Sequence, residues 1–427
     1  MIDVRLLRQE PDAVRAAVAR RLDPALDREL DRALELDRRR REVLTRTESL
    51  KAERNSATGE VARRKKAGEP AEGLMASLRQ SGEAVRELEA EVRQIETDLD
   101  AVLLIIPNLP HPDVPDGDAT ANTVLKEVGR KPSFGFTPRP HWELGEALGL
   151  FDLARGAKIT GSGFPVFTGD GARLARALKN FMLDLHTREH AYLEVSPPFL
   201  VNRDTMTGTG QLPKFEDELY RASEDDLFLI PTAEVPLTNL YRDEILDHAD
   251  LPRGLCAFTP CFRREAGAHG KDTRGLIRVH QFDKVELVRF CRPEESDAEH
   301  ERMTRHAETV LERLEIPYRR LALAAGDTGF SSARTFDLEV WAAGVGTWLE
   351  ASSASTFTDF QARRANIRFR PRPGAKPEFV HTLNASGVAF PRTIIALLEN
   401  NQEADGTVRI PSALTSYLGT DRLMPRG

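Results

Sequence analysis

The sequence predicts an α+β protein, with an N-terminal antiparallel helical coiled-coil arm ahead of a body of strands and packed helices. Three observations carry this. Two long stretches within the first 106 residues place apolar side chains at coiled-coil spacing. Around 258–288, two apolar strand-like runs flank a Gly-rich, charged loop, the pattern of a long hairpin. A second pair of strands, Phe336–Trp341 and Trp348–Ser353, is joined by a Gly344-Val-Gly-Thr turn.

Taken in order, residues 1 to about 25 read as one or two short helices, with Pro11 in the first turn of the second. No proline interrupts Ala25 to Gly68, where Leu36, Val43, Leu50 and Ala57 recur every seventh residue and Val61 follows. Leu78, Val85, Leu88, Val92, Ile95, Leu99 and Val102 form the facing seam, interrupted at Ser81. Gly68-Glu-Pro70 breaks the pattern, so the two helices fold back as an arm about 50 Å long. Residues 107–140, rich in Pro, Gly, Asp and Asn, read as a linker and entry, dividing a 1–106 domain from a 141–427 domain. His141-Trp-Glu-Leu-Gly opens the second domain. Residues 171–190 form an amphipathic helix with Leu174, Leu178, Phe181, Met182 and Leu185 on one side. Tyr192–Val201 reads as a strand whose Pro197-Pro198 marks an edge or a bulge.

Composition narrows the function. A chain of 427 residues with 30% charged side chains and net charge -7 is a globular protein, too acidic to coat nucleic acid wholesale. Cys256, Cys261 and Cys291 have neither paired spacing nor partner histidines, so no disulfide framework and no zinc site are expected. The first residues lack an apolar signal core, and the longest apolar run, Ala101–Ile106, is too short to span a membrane. The expectation is a cytoplasmic protein with no membrane contact. Charge is uneven along the arm. Residues 28–66 hold thirteen Lys or Arg and eight Asp or Glu, a net of +5. Residues 69–100 hold three and nine, a net of -6. Opposite signs favour pairing of the helices. Arg38, Arg39, Arg40 and Arg41 circle the first helix and cannot all pair inward, and Arg63, Arg64, Lys65 and Lys66 lie near the tip. The arm is either a solvated dimerisation element or a lever that lays cations along RNA phosphates.

Four stretches carry candidate chemistry. Arg263, Arg264 and Glu265 end the first strand of the 258–288 hairpin, and Arg278, Phe282 and Glu286 follow at intervals of four. On a strand that spacing gives one face a cation, a ring and a carboxylate, a set suited to phosphate, a flat base and a small polar ligand. Gly267, Gly270 and Gly275 punctuate the loop, with His269, Lys271 and Arg274 among them, a basic loop able to meet polyphosphate or an RNA end. In Ile230-Pro-Thr-Ala-Glu-Val-Pro, Thr232 and Glu234 share a face if the segment is extended and suit an ammonium group. The same residues also read as a helix start. Glu350 and Ser352 share a strand face, and a bend after Ser352 brings Ser353 to Glu350, giving hard oxygen donors for Mg²⁺. Last, His381 to Asn400 runs from a polar strand into a helix, with Pro391 in the first turn and Arg392 at the start, where an anion meets the dipole.

Phe262-Arg263-x-Glu265, the loop and Arg278-x-x-x-Phe282-x-x-x-Glu286 resemble motif 2 of class II aminoacyl-tRNA synthetases, and in detail the bacterial seryl-tRNA synthetases. The 171–201 helix and strand resemble motif 1, and 381–400 resembles motif 3. The resemblance covers essentially the whole chain. It implies a class II synthetase-like antiparallel sheet with flanking helices and ATP-dependent attachment of serine to tRNA(Ser) through a seryl-adenylate; whether selenocysteine tRNA is served is left open. It implies ATP as substrate, Mg²⁺ on Glu350 and Ser353, and a homodimer with Pro197 at its interface. By this carry-over Arg263 holds the α-phosphate, with Arg264 and Ser352 in the same ATP-binding set. Glu265 reads the adenine amino group, Phe282 and Arg392 sandwich the adenine, and Arg278 faces the terminal phosphates. Thr232-Ala233-Glu234 takes the serine ammonium, and Glu286, Asn384 and Ser386 lie on the serine side. Leu349 departs from the family's usual Arg and Ala354 from a common Cys. The competing readings are a related ligase that charges a carrier protein and a scaffolding protein with a dead nucleotide site. The long arm argues against the first and the complete set of charged site residues against the second.

Overall fold

The computed structural model describes residues 1–266 and 274–426, so Gly267, His269, Gly270 and Lys271 of the basic loop lie outside the described residues. The chain forms two compact units, Met1–Pro107 and Asn108–Gly427.

The first unit is helical. Helices α1 (Val4–Gln9) and α2 (Pro11–Ala19) precede α3 (Ala25–Ala67) and α4 (Glu72–Ile105). At 1.5 Å per residue the long pair reaches about 65 and 50 Å. Gly68 ends α3 at φ 73, a left-handed cap open to glycine, and its N–H and that of Glu69 return to the last carbonyls of the helix. Val43, Leu88, Val92 and Ile95 form the seam. As expected, Arg38–Arg41 do not all pair inward, since only Arg39 and Arg40 reach across to α4. All four of Arg38–Arg41 have carboxylate partners: Arg38 meets Glu35 and Glu42, Arg39 meets Glu91, Arg40 meets Glu96, and Arg41 meets Asp37. Long guanidinium stems reach both along their own helix and across to the next, which the circular arrangement alone does not reveal. Glu60 holds Arg63 and Arg64, whereas Lys65 and Lys66 form no ion pair among the described residues.

The second unit is built on an eight-stranded sheet. Its strands are β1 (Thr123–Val128), β2 (Leu193–Glu194), β3 (Arg253–Phe262), β4 (Gln281–Cys291), β5 (Tyr318–Ala322), β6 (Arg334–Ala342), β7 (Thr347–Thr358) and β8 (His381–Ala389). The order is β1-β5-β6-β7-β8-β4-β3-β2. Every pair is antiparallel except β2 with β3. Helices α5 (His141–Leu148), α6 (Asp170–Arg188), α7 (Glu234–Asn239), α8 (Ser296–Arg313) and α9 (Phe390–Asn400) belong to the same unit. Leu174, Leu178, Phe181 and Met182 of α6, and Ile394, Ile395, Leu397 and Leu398 of α9, join the main apolar core with the inner faces of the strands.

Two expectations are corrected here. Residues 107–140 are not a plain linker: Thr123–Val128 pairs with β5 as the sheet's edge strand, a partner some 200 residues away. The proline-containing strand is two short pieces, Leu193–Glu194 and Leu200–Asn202, because Pro197-Pro198 cannot donate to a ladder. The first piece does lie at a sheet edge.

Candidate active site

β3 and β4 pair residue for residue from Phe262↔Gln281 to Arg253↔Phe290, so the long hairpin is real. Arg278 precedes β4 and does not sit on a strand face with Phe282 and Glu286 as expected. It nevertheless lines a cavity with Phe282, together with Leu276, Ile277 and Val279 of its own segment, whereas Glu286 is fully buried and lines neither that cavity nor the neighbouring cleft. That cavity, of about 540 Å³, is lined by Arg263, Glu265, Arg278, Phe282, Glu350 and Arg392 among others. Arg263 lies over the Phe282 ring at 5.2 Å, and Arg278 is ion-paired with Glu265. Arg392, in the first turn of α9 behind Pro391, donates to the Glu350 carbonyl (2.5 Å) and lies 3.5 Å from its carboxylate. A ring, three guanidinium groups and two carboxylates around an open slot suit a charged, flat ligand with a polyphosphate tail.

A second, wider cleft of about 1270 Å³ shares Arg263, Lys284, Glu350 and Ser386 with the first and continues to Thr232, Glu234, Ser353 and Asn384. At its floor the polar groups are buried and tightly connected. The Asn384 amide nitrogen donates to Glu234 (2.8 Å) and to Glu286 (3.0 Å). Gln361 donates to the other Glu234 oxygen (2.6 Å) and is oriented by the Thr382 hydroxyl (2.8 Å). Lys284 forms an ion pair with Glu286 and donates to the Thr232 hydroxyl at 2.9 Å. Burial, with the nearby Glu286 charge, pushes the Glu234 carboxyl up to about 7. This end of the cleft is therefore a cation and hydroxyl acceptor kept out of water. Ser386 stands directly across from Glu286 in the β4–β8 register.

The Thr232 question resolves toward a helix start. Glu234 is the first residue of α7, and its N–H lies 3.3 Å from the Thr232 hydroxyl. Both side chains still reach the cleft, since a turn brings together what an extended strand would also have aligned. Ala233 does not reach it; it is fully buried in an apolar cluster with Leu237, Leu255 and Ala257. Arg264 turns outward and lines neither cavity, its N–H going to the Glu218 carbonyl. Ser352 also turns away, donating to the Ser386 carbonyl at 2.6 Å.

The alternation on β7 is reset by a bulge. Leu338 pairs with Ser352 and Glu339 with Glu350, leaving Ala351 unopposed. Glu350, Ser353 and Ser355 consequently face the cleft together. The bend falls at Ala351, ahead of the expected position after Ser352. Asp337 stands across from Ser353 and keeps Oδ1 buried without a hydrogen bond. Burial and Glu350 push the Asp337 carboxyl well above its ordinary range. An orphaned carboxylate oxygen beside Glu350 and Ser353 is a hard oxygen set, and it fits a divalent cation of the Mg²⁺ type. Leu349 packs into the main core opposite Val340, so the cleft's cations come from Arg263, Arg278, Lys284 and Arg392.

Sequence reasoning passed over Gln361 and Asp337, and it reads Lys284 only as the ion-pair partner that would make Glu286 a structural carboxylate, a pair the structure does form. Lys284 was legible, lying midway between Phe282 and Glu286 on a period of two. Asp337 alternates with Glu339 on β6, but its facing depends on the bulge opposite. Gln361 carries no local signal, since its partners come from α7 and β8.

The chain is similar over its length to known proteins. Residues 1–110 match the family model described as seryl-tRNA synthetase N-terminal domain, and residues 214–401 match the tRNA synthetase class II core domain (G, H, P, S and T). A serine–tRNA ligase of Gemmatimonas aurantiaca is 59% identical over 98% of this chain and 99% of its own. The crystal structure of seryl-tRNA synthetase from Pyrococcus horikoshii complexed with ATP superposes with TM-score 0.96 at 40% identity, covering 100% of both chains. A cytoplasmic serine–tRNA ligase from Naegleria fowleri in complex with AMP gives 0.89 at 29% identity, over 100% of this chain and 99% of that one.

Proposed function

We propose a division of labour in the cleft from the premise that the chain belongs to the seryl-tRNA synthetase family and is a class II enzyme that uses ATP to attach serine to tRNA. The observation that carries it is the junction of the two cavities, where Arg263, Lys284, Glu350 and Ser386 border both. A nucleotide in one and an amino acid in the other meet there, as an adenylation requires. Charging a carrier protein is not favoured, since the full-length relatives are serine–tRNA ligases.

The serine carboxylate attacks the ATP α-phosphorus, the bond to the β-phosphate oxygen breaks, and pyrophosphate leaves. A terminal ribose hydroxyl of the tRNA then attacks the seryl carbonyl, and AMP leaves. No residue of the enzyme serves as nucleophile, so the residues act by position and by meeting developing charge. Arg263 holds the α-phosphate, Arg278 the terminal phosphates, and Phe282 with Arg392 the adenine, whose amino group faces Glu265. Thr232 and Glu234 take the serine ammonium, while Glu286, Asn384 and Ser386 surround its side chain. Glu350 and Ser353 would hold Mg²⁺, which on binding supplies charge neutralisation to the phosphates.

The arm lays its cations along tRNA, with Lys65 and Lys66 the readiest to meet phosphate. The active form is a homodimer in the cytoplasm, its interface near Pro197; exposed Leu193, Phe199 and Leu200 beside that proline support this reading. Among the described residues no helix is long and apolar enough to cross a membrane. Serine-dependent ATP–pyrophosphate exchange followed by charging of tRNA tests the whole. Removing residues 30–100 should leave exchange in place and abolish charging; equal loss of both would contradict the arm's separate role.

A further inference from the structure

Away from the cleft's lining, one buried imidazole joins three segments that feed the nucleotide cavity. His141, the first residue of α5, is fully buried. Its Nε2 accepts a hydrogen bond from the Leu276 N–H at 3.0 Å. A backbone N–H can only donate, so Nε2 carries no proton. The ring proton therefore sits on Nδ1, which donates to Glu399 Oε1 at 2.7 Å. Glu399, fully buried on α9, also takes the His141 N–H at 2.8 Å on Oε1. Its Oε2 takes the N–H groups of Gly344 (2.8 Å) and Val345 (3.0 Å).

Each tether leads to the site. Leu276 stands just before Ile277 and Arg278 and itself lines the nucleotide cavity. Gly344 and Val345 form the turn between β6 and β7, the strand that carries Glu350. Glu399 lies on the helix whose first turn carries Arg392. Gly275 adds an independent sign of close fit: its φ is +66, and a Cβ there would lie 2.2 Å from His141 Nε2. The backbone after the basic loop is thus pressed directly onto the imidazole edge.

We propose that His141, held by Glu399 as the Nδ1-protonated tautomer, is a positioning residue that fixes the Leu276–Arg278 segment for ATP. This rests on the reading of that cavity as the ATP site. Among the described residues the hydrogen bonds of the latch go to Leu276, Gly344 and Val345 and not to the serine-binding end, so its loss should separate the two substrates. Packing alone would not do so, and would not respond to which hydrogen-bonding groups replace the ring.

The test compares wild type, His141→Ala and His141→Gln, in the full-length protein, by pyrophosphate exchange and by calorimetric ATP binding. The glutamine amide can present a donor to Glu399 and an acceptor to Leu276. His141→Ala should raise KM for ATP about tenfold with KM for serine unchanged, and His141→Gln should recover most of the loss. A parallel rise in both KM values, or a glutamine variant as impaired as alanine, would overturn the proposal. If His141→Ala fails to fold, Gly275→Ala decides: it should weaken ATP the same way, and an unaltered ATP affinity refutes the latch. Wild type without serine-dependent exchange would instead sink the functional reading, leaving the latch to be judged by ATP affinity.

Discussion

The two ends of the cleft hold charge in opposite ways. At the inner end Glu234 and Glu286 are 7% and 0% exposed, Glu234 held by Asn384 and Gln361 and Glu286 by Asn384 and Lys284. At the outer end the side chains of Arg278 and Arg392 remain about a quarter exposed and that of Glu350 about half. Desolvated carboxylates make any unpaired group expensive, so the inner end is built to discriminate. Partly hydrated cations lose less when a partner is missing, so the outer end is built to bind and orient.

The difference can be broken or sharpened by substitution. The largest expected effect is at the inner end. Glu234→Ala should cut kcat/KM for serine in exchange by roughly 10³-fold while leaving KM for ATP nearly unchanged, because a buried cation subsite loses its anion. A loss shared equally between the two substrates would erase the distinction. At the outer end, Arg392→Ala should raise KM for ATP by roughly 10- to 100-fold, with the preference for serine over alanine intact. A changed amino-acid preference in that variant would show that the ends are not separate.

Titration offers a third probe. The Glu234 carboxyl sits at about 7, raised by burial first and then by Glu286. Below that pH it is protonated and no longer attracts an ammonium group. KM for serine should therefore climb by up to about tenfold per pH unit below 7 and level off above, with KM for ATP lacking that inflection. The stability sign is the reverse of an ordinary ion pair. Between the ordinary value of 4.5 and about 7 the folded state holds a proton the unfolded chain has released, so this group makes stability fall as pH rises. A flat serine profile from pH 6 to 8 would remove Glu234 from the ammonium site. The smallest effect belongs to Ser352→Ala, which deletes one bond to the Ser386 carbonyl. It should lower stability by about 1 kcal/mol and leave ATP affinity nearly unchanged, unlike Ser353→Ala.

How much of this was legible follows from the range of the interactions involved. The arm's seam could be read because a heptad is a local repeat, and the β3–β4 hairpin because its strands are neighbours in sequence. Thr123–Val128 looked like linker because it lies on an edge and its β5 partner is distant. The facing of Ser353 turned on a single bulged residue, Ala351, and a period-two argument inverts wherever one residue is inserted. Arg264 and Ser352 stand beside cleft residues in sequence yet turn away from the cleft. Gln361 and the His141–Glu399 pair bring together segments more than 100 residues apart, and no spacing rule reaches that far.

The most direct test of the discriminating inner end is the serine-to-alanine ratio of kcat/KM in pyrophosphate exchange, measured for wild type and Glu286→Ala. Serine and alanine differ by one hydroxyl, and a site that pairs this hydroxyl with a buried acceptor can reject alanine by ~10⁴-fold. Glu286 is that acceptor in this account, reached from the strand face that also presents Phe282 and Lys284. The substitution should depress serine activation by orders of magnitude and shrink the ratio toward that of a pocket blind to the hydroxyl. A variant that keeps the wild-type ratio would mean that Glu286 does not read the hydroxyl, and that selectivity arises elsewhere.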